Sequence, residues 1–128
     1  MKYLLDTHAL LWITTDDPKL SKKAKNIYLD AENEILLSIA SIWELAIKSR
    51  IGKITFQKDL DDFVDAHIKG NNIEILKIEL PHVLRIEKLP FHHRDPFDRL
   101  IIAQAIEDNL KILGADNTFD KYKVKRIC

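Results

Sequence analysis

The sequence predicts an α/β fold, in which a central parallel sheet of about four or five strands is covered by helices on both faces. Short apolar runs alternate with segments of helical periodicity along the whole chain, and this order is typical of parallel sheets. The length of 128 residues suits one domain with its own core. A composition of 46% hydrophobic and 31% charged residues fits a globular protein. We therefore expect residues 1–128 to form a single domain.

The first half of the chain carries start and stop signals for its helices. Ser21 and Ser38 are of the residue types that cap helix N-termini, and each precedes apolar residues at helical spacing. Gly52 ends the second of these segments. Asp6 and Thr7 end the first apolar run. The expected elements are, in order, strand Lys2–Leu5, helix 9–13, a turn at 16–18, helix 22–31, strand 34–37 and helix Ile39–Arg50.

The second half continues the alternation. Residues 59–70 read as an amphipathic helix because Leu60, Phe63, Val64 and Ile68 recur at the spacing of one helix face. The later strands are short apolar runs bounded by turn residues. The expected elements are helix 59–70, strand 73–78, helix 81–87, a helix over 95–105, strand Lys111–Leu113, a turn or short helix at 118–122 and a last short strand at 124–127.

The helix over 95–105 has a clear start signal. Asp95 stands at the N-cap position and Pro96 at the first helical position, where a missing N–H costs nothing. Asp98 falls in the first turn, where a negative charge meets the positive end of the helix dipole. Capping alone would explain Asp98 if it were isolated. The three other acids described next indicate a second role for Asp98, as part of a shared acidic site.

Four acids are expected near one edge of the sheet. In open parallel sheets, ligands bind at the carboxyl ends of the strands. Asp6 ends the first strand, Asp116 follows the fourth, Asp98 opens the long helix, and Glu44 lies among apolar residues of the third helix. Clustered carboxylates repel one another unless a cation neutralises them. Carboxylate oxygens suit Mg²⁺ or Mn²⁺, so we expect one or two such ions.

The composition limits where the protein works and what it binds. Lys and Arg total 20 and Asp and Glu total 20, so there is no broad basic coat and contact with nucleic acid must be local. The single cysteine, Cys128, is consistent with a reducing compartment. Asp6 and His8 interrupt the apolar N-terminal run, which argues against a signal peptide, and no run is long enough to span a bilayer. We expect a cytoplasmic protein without membrane contact.

Four segments of the chain together carry a resemblance to a known family. They are LLDTHALLW at 4–12, SIASIWELAIK at 38–48, LPFHHRDPFDRLIIAQA at 89–105 and LGADNTFDKY at 113–122. With these segments in this order, the chain resembles PIN domains, and within them the VapC-type toxins of bacterial toxin–antitoxin pairs, over essentially its whole length. The resemblance implies an α/β/α sandwich and a metal-dependent ribonuclease whose acidic site falls on Asp6, Glu44, Asp98 and Asp116. Thr7 matches a hydroxyl position near the metal.

Gly114 departs from the family pattern. The family often carries Thr or Ser two residues before the last acid, and here that position is glycine. A hydrogen bond that supports Asp116 is therefore expected to be missing.

The resemblance also implies a reaction and partners. Members cut cellular RNA, form homodimers and are silenced by a cognate antitoxin protein that reaches the active site. The metal would lower the pKa of a bound water, which attacks the phosphodiester in line and leaves a 5′-phosphate and a 3′-hydroxyl.

The cationic residues around the acids are candidates for support of the site or contact with RNA phosphates. Adjacent His92 and His93 do not suit a tetrahedral zinc site, because neighbouring side chains rarely reach one ion. With Arg94, they are better interpreted as a positively charged lip. Trp12 and Trp43 are interpreted as core residues. The cationic candidates are Lys48, His93, Arg94 and Arg99, and the alternating basic residues at 121–126 are either an RNA or antitoxin contact or a strand edge protected by lysine.

Three alternatives to the ribonuclease differ in what they require. A phosphoacceptor receiver domain needs an Asp at the end of its middle strand, where this chain has Leu76 and Lys77. A phosphatase of the haloacid dehalogenase type needs a second Asp two residues after the first, and that position is His8. A catalytically inactive PIN-like module that binds RNA or protein stays open, although all four acids remain.

Overall fold

The computed structural model describes residues 1–127, so Cys128 lies outside the described residues. It confirms the predicted fold class: five parallel strands form one sheet in the order β3-β2-β1-β4-β5, with β1 at its centre. The strands are β1 (Lys2–Leu5), β2 (Glu34–Ser38), β3 (Glu74–Leu76), β4 (Lys111–Leu113) and β5 (Arg126–Ile127).

Six α-helices connect the strands of the described chain. Helix α4 continues into a π-helical turn, Val64–Ile68, and a 3₁₀ turn, Lys69–Asn71, while a separate 3₁₀ turn, Asn117–Lys121, follows β4. No helix within residues 1–127 has the length and apolar composition needed to cross a bilayer. The helices are α1 (Thr7–Thr14), α2 (Lys22–Leu29), α3 (Ile39–Arg50), α4 (Leu60–Phe63), α5 (Leu80–Lys88) and α6 (Pro96–Glu107).

Apolar clusters lie on both faces of the sheet, which makes the fold an α/β/α sandwich. Leu4 and Ile112 point to the face that α6 covers, and they pack with buried residues of that helix such as Ile101. Tyr3 and Leu5 point to the opposite face, which α1, α2 and the segment around α4 cover. Successive strand residues alternate between faces, so one short apolar strand supplies both clusters.

The segment over 59–70 differs from the regular helix that its spacing predicts. Asp59 caps the segment by accepting from the Asp62 amide at 2.9 Å, and Ile68 is fully buried. Only Leu60–Phe63 is α-helical, however. Apolar spacing determines which side chains face the core, whereas it leaves open which carbonyl accepts each amide hydrogen bond. The strands predicted at 73–78 and 124–127 are also shorter in the structure.

The interpretation of Trp43 as a core residue is wrong. Its side chain is 55% exposed and packs edge-on against the Phe97 ring, with ring centroids 5.0 Å apart. Trp12 is half-buried and lies beside the cavity described below. Trp43 faces outward because residues 39, 43, 47 and 51 share one helix face, and that face of α3 points away from the sheet.

Candidate active site

One cavity gathers the four predicted acids at the carboxyl edge of the sheet. It has a volume of about 320 Å³. Strands β1 and β4 are parallel neighbours, so the residues that follow them, Asp6 and Asp116, meet at the same edge. Helix α3 brings Glu44 to this cavity and the first turn of α6 brings Asp98. The remaining lining residues are Thr7, His8, Trp12, Lys48, Asp95, Ala115 and Phe119.

Asp6 is fixed by two backbone amides. One oxygen accepts from Ala9 N at 2.6 Å, which caps α1, and the other accepts from Ala115 N at 3.0 Å. Burial raises the pKa of the Asp6 carboxyl above its ordinary value, and these two hydrogen bonds oppose that rise. The carboxylate is therefore held in place at a cost that a neighbouring cation would relieve.

Gly114 makes room for Asp6. A Cβ atom at this position would lie 2.6 Å from Asp6 Oδ2 and 3.0 Å from Asp6 Cγ. A Thr or Ser side chain would therefore collide with the first acid rather than support the last one. The expected gap beside Asp116 is also filled, because its Oδ1 accepts from Thr118 N at 2.9 Å and its Oδ2 lies 3.0 Å from His93 Nε2.

Glu44 is held by a hydroxyl and an ammonium group. Thr7 Oγ1 lies 2.8 Å from Glu44 Oε1 and 3.0 Å from Ser41 Oγ, all within the buried part of the site. Lys48, one turn further along α3, places its Nζ 2.8 Å from Glu44 Oε2. The side chain of Glu44 is only 8% exposed, so this ion pair compensates a charge that would be costly alone.

Of the four acids, Asp98 has the fewest neighbouring groups that stabilise its negative charge. No hydrogen bond or ion pair from residues 1–127 reaches its carboxylate, although it is half-buried. Burial, then the negative charge of Asp95, and to a smaller extent the charges of Glu44 and Asp116 together raise the pKa of Asp98 to about 7, while nearby His93 opposes this rise. Asp95 itself provides the cap, since its side chain accepts from Phe97 N at 2.8 Å. Capping therefore explains Asp95 and leaves Asp98 unexplained.

In Asp116, unlike in Asp98, hydrogen bonds outweigh the effect of burial on the pKa. Partial burial alone would raise the pKa of its carboxyl, but hydrogen bonds from the Thr118 amide and from His93 more than offset this and lower it. The site therefore combines two carboxyls with raised pKa values, Asp6 and Asp98, with one that ionises readily, Asp116. A ring nitrogen of His93 lies in a group with carboxylate oxygens of Asp98 and Asp116 in which all atoms are within 4.8 Å of one another.

The side chains of the four predicted cationic residues lie in three different surroundings: the cavity, the surface and the protein interior. Lys48 lines the cavity and Arg94 is exposed on the loop before α6. His93 does not form the predicted surface lip, because its side chain is buried against Asp116. Arg99 is not available for the predicted contact with RNA phosphates, because it is buried and donates to the carbonyls of Pro90 and Ile86 at 3.1 and 3.0 Å. Arg99 therefore anchors the loop that carries His93 and Arg94.

Two further residues of the site, Tyr122 and Ser41, were not predicted from the sequence. Tyr122 accepts hydrogen bonds from the amides of His92 and His93 at 3.0 Å each, and Ser41 contacts Thr7. Neither has a signal in the sequence, since single Ser and Tyr residues are common. Their roles follow only from the fold that brings them to the site.

Comparisons with known proteins agree with this architecture. The PIN domain family model matches residues 3–125. The chain is similar to the structure of VapBC2 from Rickettsia felis bound to a promoter DNA fragment (TM-score 0.76, 18% identity, covering 99% of this chain and 98% of that one). It is also similar to DNA-bound VapBC from Salmonella typhimurium (0.69, 14%, 99% and 97%) and to FitAcB from Neisseria gonorrhoeae (0.67, 18%, 98% and 96%).

A comparison with curated proteins gives no match. The solved structures are below one-fifth identity, so they support the fold and leave the chemistry to the site itself. The family model spans β1 to β4, apart from the first residue of β1, and ends one residue before β5. The chain belongs to the PIN domain family.

Proposed function

We propose that the protein is a metal-dependent endoribonuclease that cleaves RNA phosphodiesters, and that it is the toxin of a toxin–antitoxin pair. One observation carries the proposal: Asp6, Glu44, Asp98 and Asp116, from four separate parts of the chain, line a single cavity. Such a concentration of partly buried carboxylates destabilises a fold unless it serves a cation. PIN domains are nucleases at the level of the family, which agrees with this chemistry.

The donor set fits a divalent cation with oxygen ligands. The four acids would hold one or two Mg²⁺ or Mn²⁺ ions, which prefer carboxylate oxygens. Burial is the main cause of the raised pKa values of Asp6 and Asp98, and a cation in the cavity would stabilise both carboxylates in their charged form. Lys48 neutralises Glu44 alone, so the carboxylates of Asp6 and Asp98 remain available.

Residues of the chain bind and orient the RNA in this proposal. When bound, the cation supplies the acidity that activates water and the charge that stabilises a phosphoryl transition state. Thr7 keeps Glu44 turned into the cavity, and Asp6 is kept in place by the amides of residues 9 and 115. Lys48 lines the cavity with its ammonium beside Glu44, and Arg94 is exposed on the loop before α6, so both suit contacts with phosphate oxygens.

The direct test is cleavage of total cellular RNA by purified protein that has been stripped of metal. We expect no cleavage in EDTA, recovery with Mg²⁺ or Mn²⁺, and products with a 5′-phosphate and a 3′-hydroxyl. Asp61→Asn, which removes an exposed acid outside the cavity, is the matched control and should cleave normally. RNA binding without cleavage under all metal conditions would favour an inactive binding module instead.

The similar solved structures include toxin–antitoxin complexes, and this supports an antitoxin as partner. We propose that a small cognate antitoxin binds the chain and blocks its cavity, and that both act in the cytoplasm, where cellular RNA is found. Co-expression with the product of the adjacent gene should give a stable complex that lacks ribonuclease activity. An adjacent product that does not bind would argue against the toxin role.

An exposed apolar face supports a homodimer. Helices α3 and α5 both pack on α6, and both leave large apolar side chains in contact with solvent. On α3 these residues recur every four positions with no charged residue among them, so they form a continuous stripe that suits contact with a second copy. They are Ile39, Trp43, Ile47 and Ile51 on and just after α3, and Leu80, Val83 and Leu84 on α5.

Leu84→Asp is expected to shift the dimer towards monomer. Leu84 is 59% exposed, so the change costs the isolated fold little, whereas a charge buried in an interface is costly. Light scattering at tens of micromolar protein measures the mass. Leu29→Asp is the matched control, because Leu29 is 65% exposed on α2, outside the proposed face, and should leave the mass unchanged. A monomeric wild-type protein would contradict the homodimer.

Gly114→Ala is expected to displace Asp6. The added methyl would lie 2.6 Å from the Asp6 carboxylate, which two amides hold in a buried position. We expect metal affinity to fall by about 10–100-fold, as for other changes that disturb a metal ligand, and stability to fall by about 1–3 kcal/mol from overpacking. Mn²⁺ titration and thermal melting measure these effects. Gly70→Ala, outside the cavity, is the control for Mn²⁺ affinity alone, because its added methyl would lie 3.2 Å from the Asp65 carbonyl oxygen and has its own effect on stability. Normal Mn²⁺ affinity in Gly114→Ala would contradict the displacement of a metal ligand.

A further inference from the structure

A chain of contacts leads from Tyr122 through His93 to Asp116. The Tyr122 hydroxyl lies 3.3 Å from His93 Nδ1, and His93 Nε2 lies 3.0 Å from Asp116 Oδ2. The His93 ring is 8% exposed and stacks on the Tyr122 ring, with centroids 5.5 Å apart. The centroids of the His93 and Phe119 rings lie 5.0 Å apart. The imidazole is therefore fixed between an aromatic wall and one acid of the cavity.

The count of protons determines which nitrogen of His93 donates. The Tyr122 oxygen already accepts from the amides of His92 and His93, which occupies both of its lone pairs. Its own proton must be donated, and the nearest acceptor within hydrogen-bond distance is His93 Nδ1. A neutral imidazole whose Nδ1 accepts carries its proton on Nε2. His93 Nε2–H therefore donates to Asp116 Oδ2.

This assignment separates two roles for His93. The His93 ring lies close enough to oxygens of Asp98 and Asp116 to share a cation with them, and its Nε2 is the nitrogen beside Asp116. A nitrogen that carries a proton cannot be a ligand, however. We infer that His93 is a positioning residue that orients Asp116, and that Tyr122 fixes the tautomer this requires. The inference rests on the proposed function, because it assumes that Asp116 holds a cation. It also makes the cation site one of oxygen ligands alone.

Two variants of similar size test the donor. His93→Gln retains an N–H donor near the position of Nε2, whereas His93→Leu retains bulk and removes the donor. We expect His93→Leu to weaken Mn²⁺ binding by about 10–100-fold, the usual range for a hydrogen-bond partner of a metal ligand. His93→Gln should restore most of this affinity. Equal losses in both variants would show that the ring fills space rather than positioning Asp116.

Two spectroscopic measurements test the tautomer and the ligand set. In metal-free wild-type protein, nitrogen NMR should find the His93 proton on Nε2, and Tyr122→Phe should shift it partly to Nδ1. A proton on Nδ1 in the wild type would overturn the inference, even if His93→Leu did not fold. In Mn²⁺-loaded wild-type protein, electron spin echo spectra should show no coupling to an imidazole nitrogen. A nitrogen coupling that disappears in His93→Gln would make His93 a ligand and overturn the positioning role.

The outcomes also separate this inference from the proposed function. Wild-type protein that binds no Mn²⁺ and cuts no RNA would overturn the proposed function, and the role of His93 would fall with it. Wild-type protein that binds Mn²⁺ and cuts RNA, but shows imidazole coupling or a proton on Nδ1, would overturn only the positioning role.

Discussion

Asp98→Asn is expected to reduce RNA cleavage by more than about 100-fold, the upper end of what changes next to a metal ligand usually cost. Asparagine keeps the size of the side chain and removes the charge that a cation needs. If Asp98 only stabilised the helix start, the change would cost at most about 1 kcal/mol and leave cleavage intact. Because Asp95 already caps α6, even this cost should be small.

The same substitution should stabilise the metal-free protein at high pH. The pKa of Asp98 rises from 3.8 to about 7 on folding, so the folded state holds its proton more tightly than the unfolded chain. The penalty for ionising Asp98 is absent below about pH 4, grows as the pH rises, and is complete above about pH 7. Thermal melts in EDTA should therefore show Asp98→Asn gaining most at pH 8 and little at pH 4.

Cleavage at wild-type rates in Asp98→Asn would show that this acid is not part of the reaction. Asp61→Asn again serves as the control for cleavage, since it removes one exposed acid outside the cavity and should leave cleavage unchanged.

The affinity for Mn²⁺ is expected to fall by about tenfold for each pH unit below about 7. Above that pH the Asp98 carboxyl is ionised and ready to bind; below it, the cation must displace a proton. One proton should therefore be released for each binding event at pH 6 and fewer at pH 8. Calorimetry in two buffers with different ionisation heats measures this number directly.

Asp95→Asn offers a matched variant for the pH dependence. Asparagine caps helices as well as aspartate does, so α6 should be retained. The change removes the charge that, after burial, contributes most to raising the pKa of Asp98. The pH at which affinity begins to fall should therefore move below 7. An unchanged profile would show that another group is responsible for the proton release.

The fold could be predicted because its signals are local. Ser21, Ser38, Asp59 and Asp95 are all N-caps in the structure, and each accepts from an amide in the first turn of its helix. Short apolar strands between capped helices leave few arrangements other than a parallel sheet. The exact ends of the outer strands could not be predicted, because pairing at a sheet edge depends on the neighbouring strand.

The positions of the four acids could be predicted for the same reason. Asp6 and Asp116 follow neighbouring parallel strands, and the edge where they meet is set by topology. The support of these acids could be predicted only in part: Thr7, Lys48 and His93 were candidates and do contact Glu44 or Asp116, but the way each acid is held was not predicted. Gly114 suggested a missing hydrogen bond to Asp116, whereas in the structure the lack of a side chain at position 114 leaves the space that Asp6 occupies. Tyr122 and His93 come together only through tertiary packing, and spacing in the sequence carries no trace of such contacts.

Arg99 shows the limit of interpreting charge from sequence. An arginine beside a candidate site suggests a phosphate contact, but its long side chain is also able to bind several carbonyls. Here it donates to Pro90 and Ile86, and its guanidinium lies 4.9 Å from the Phe91 ring centroid. The direction of a side chain on α6, rather than its charge, decides between the two roles.

The central claim is that Asp6, Glu44, Asp98 and Asp116 together hold a divalent cation. The most direct measurement is anomalous X-ray scattering from crystals soaked in Mn²⁺, with data collected on both sides of the manganese edge. The account predicts one or two manganese peaks in the cavity, within about 2.0–2.6 Å of oxygens of these acids, the range for hard cations. An empty cavity at saturating Mn²⁺, or manganese bound only elsewhere on the surface, would contradict it.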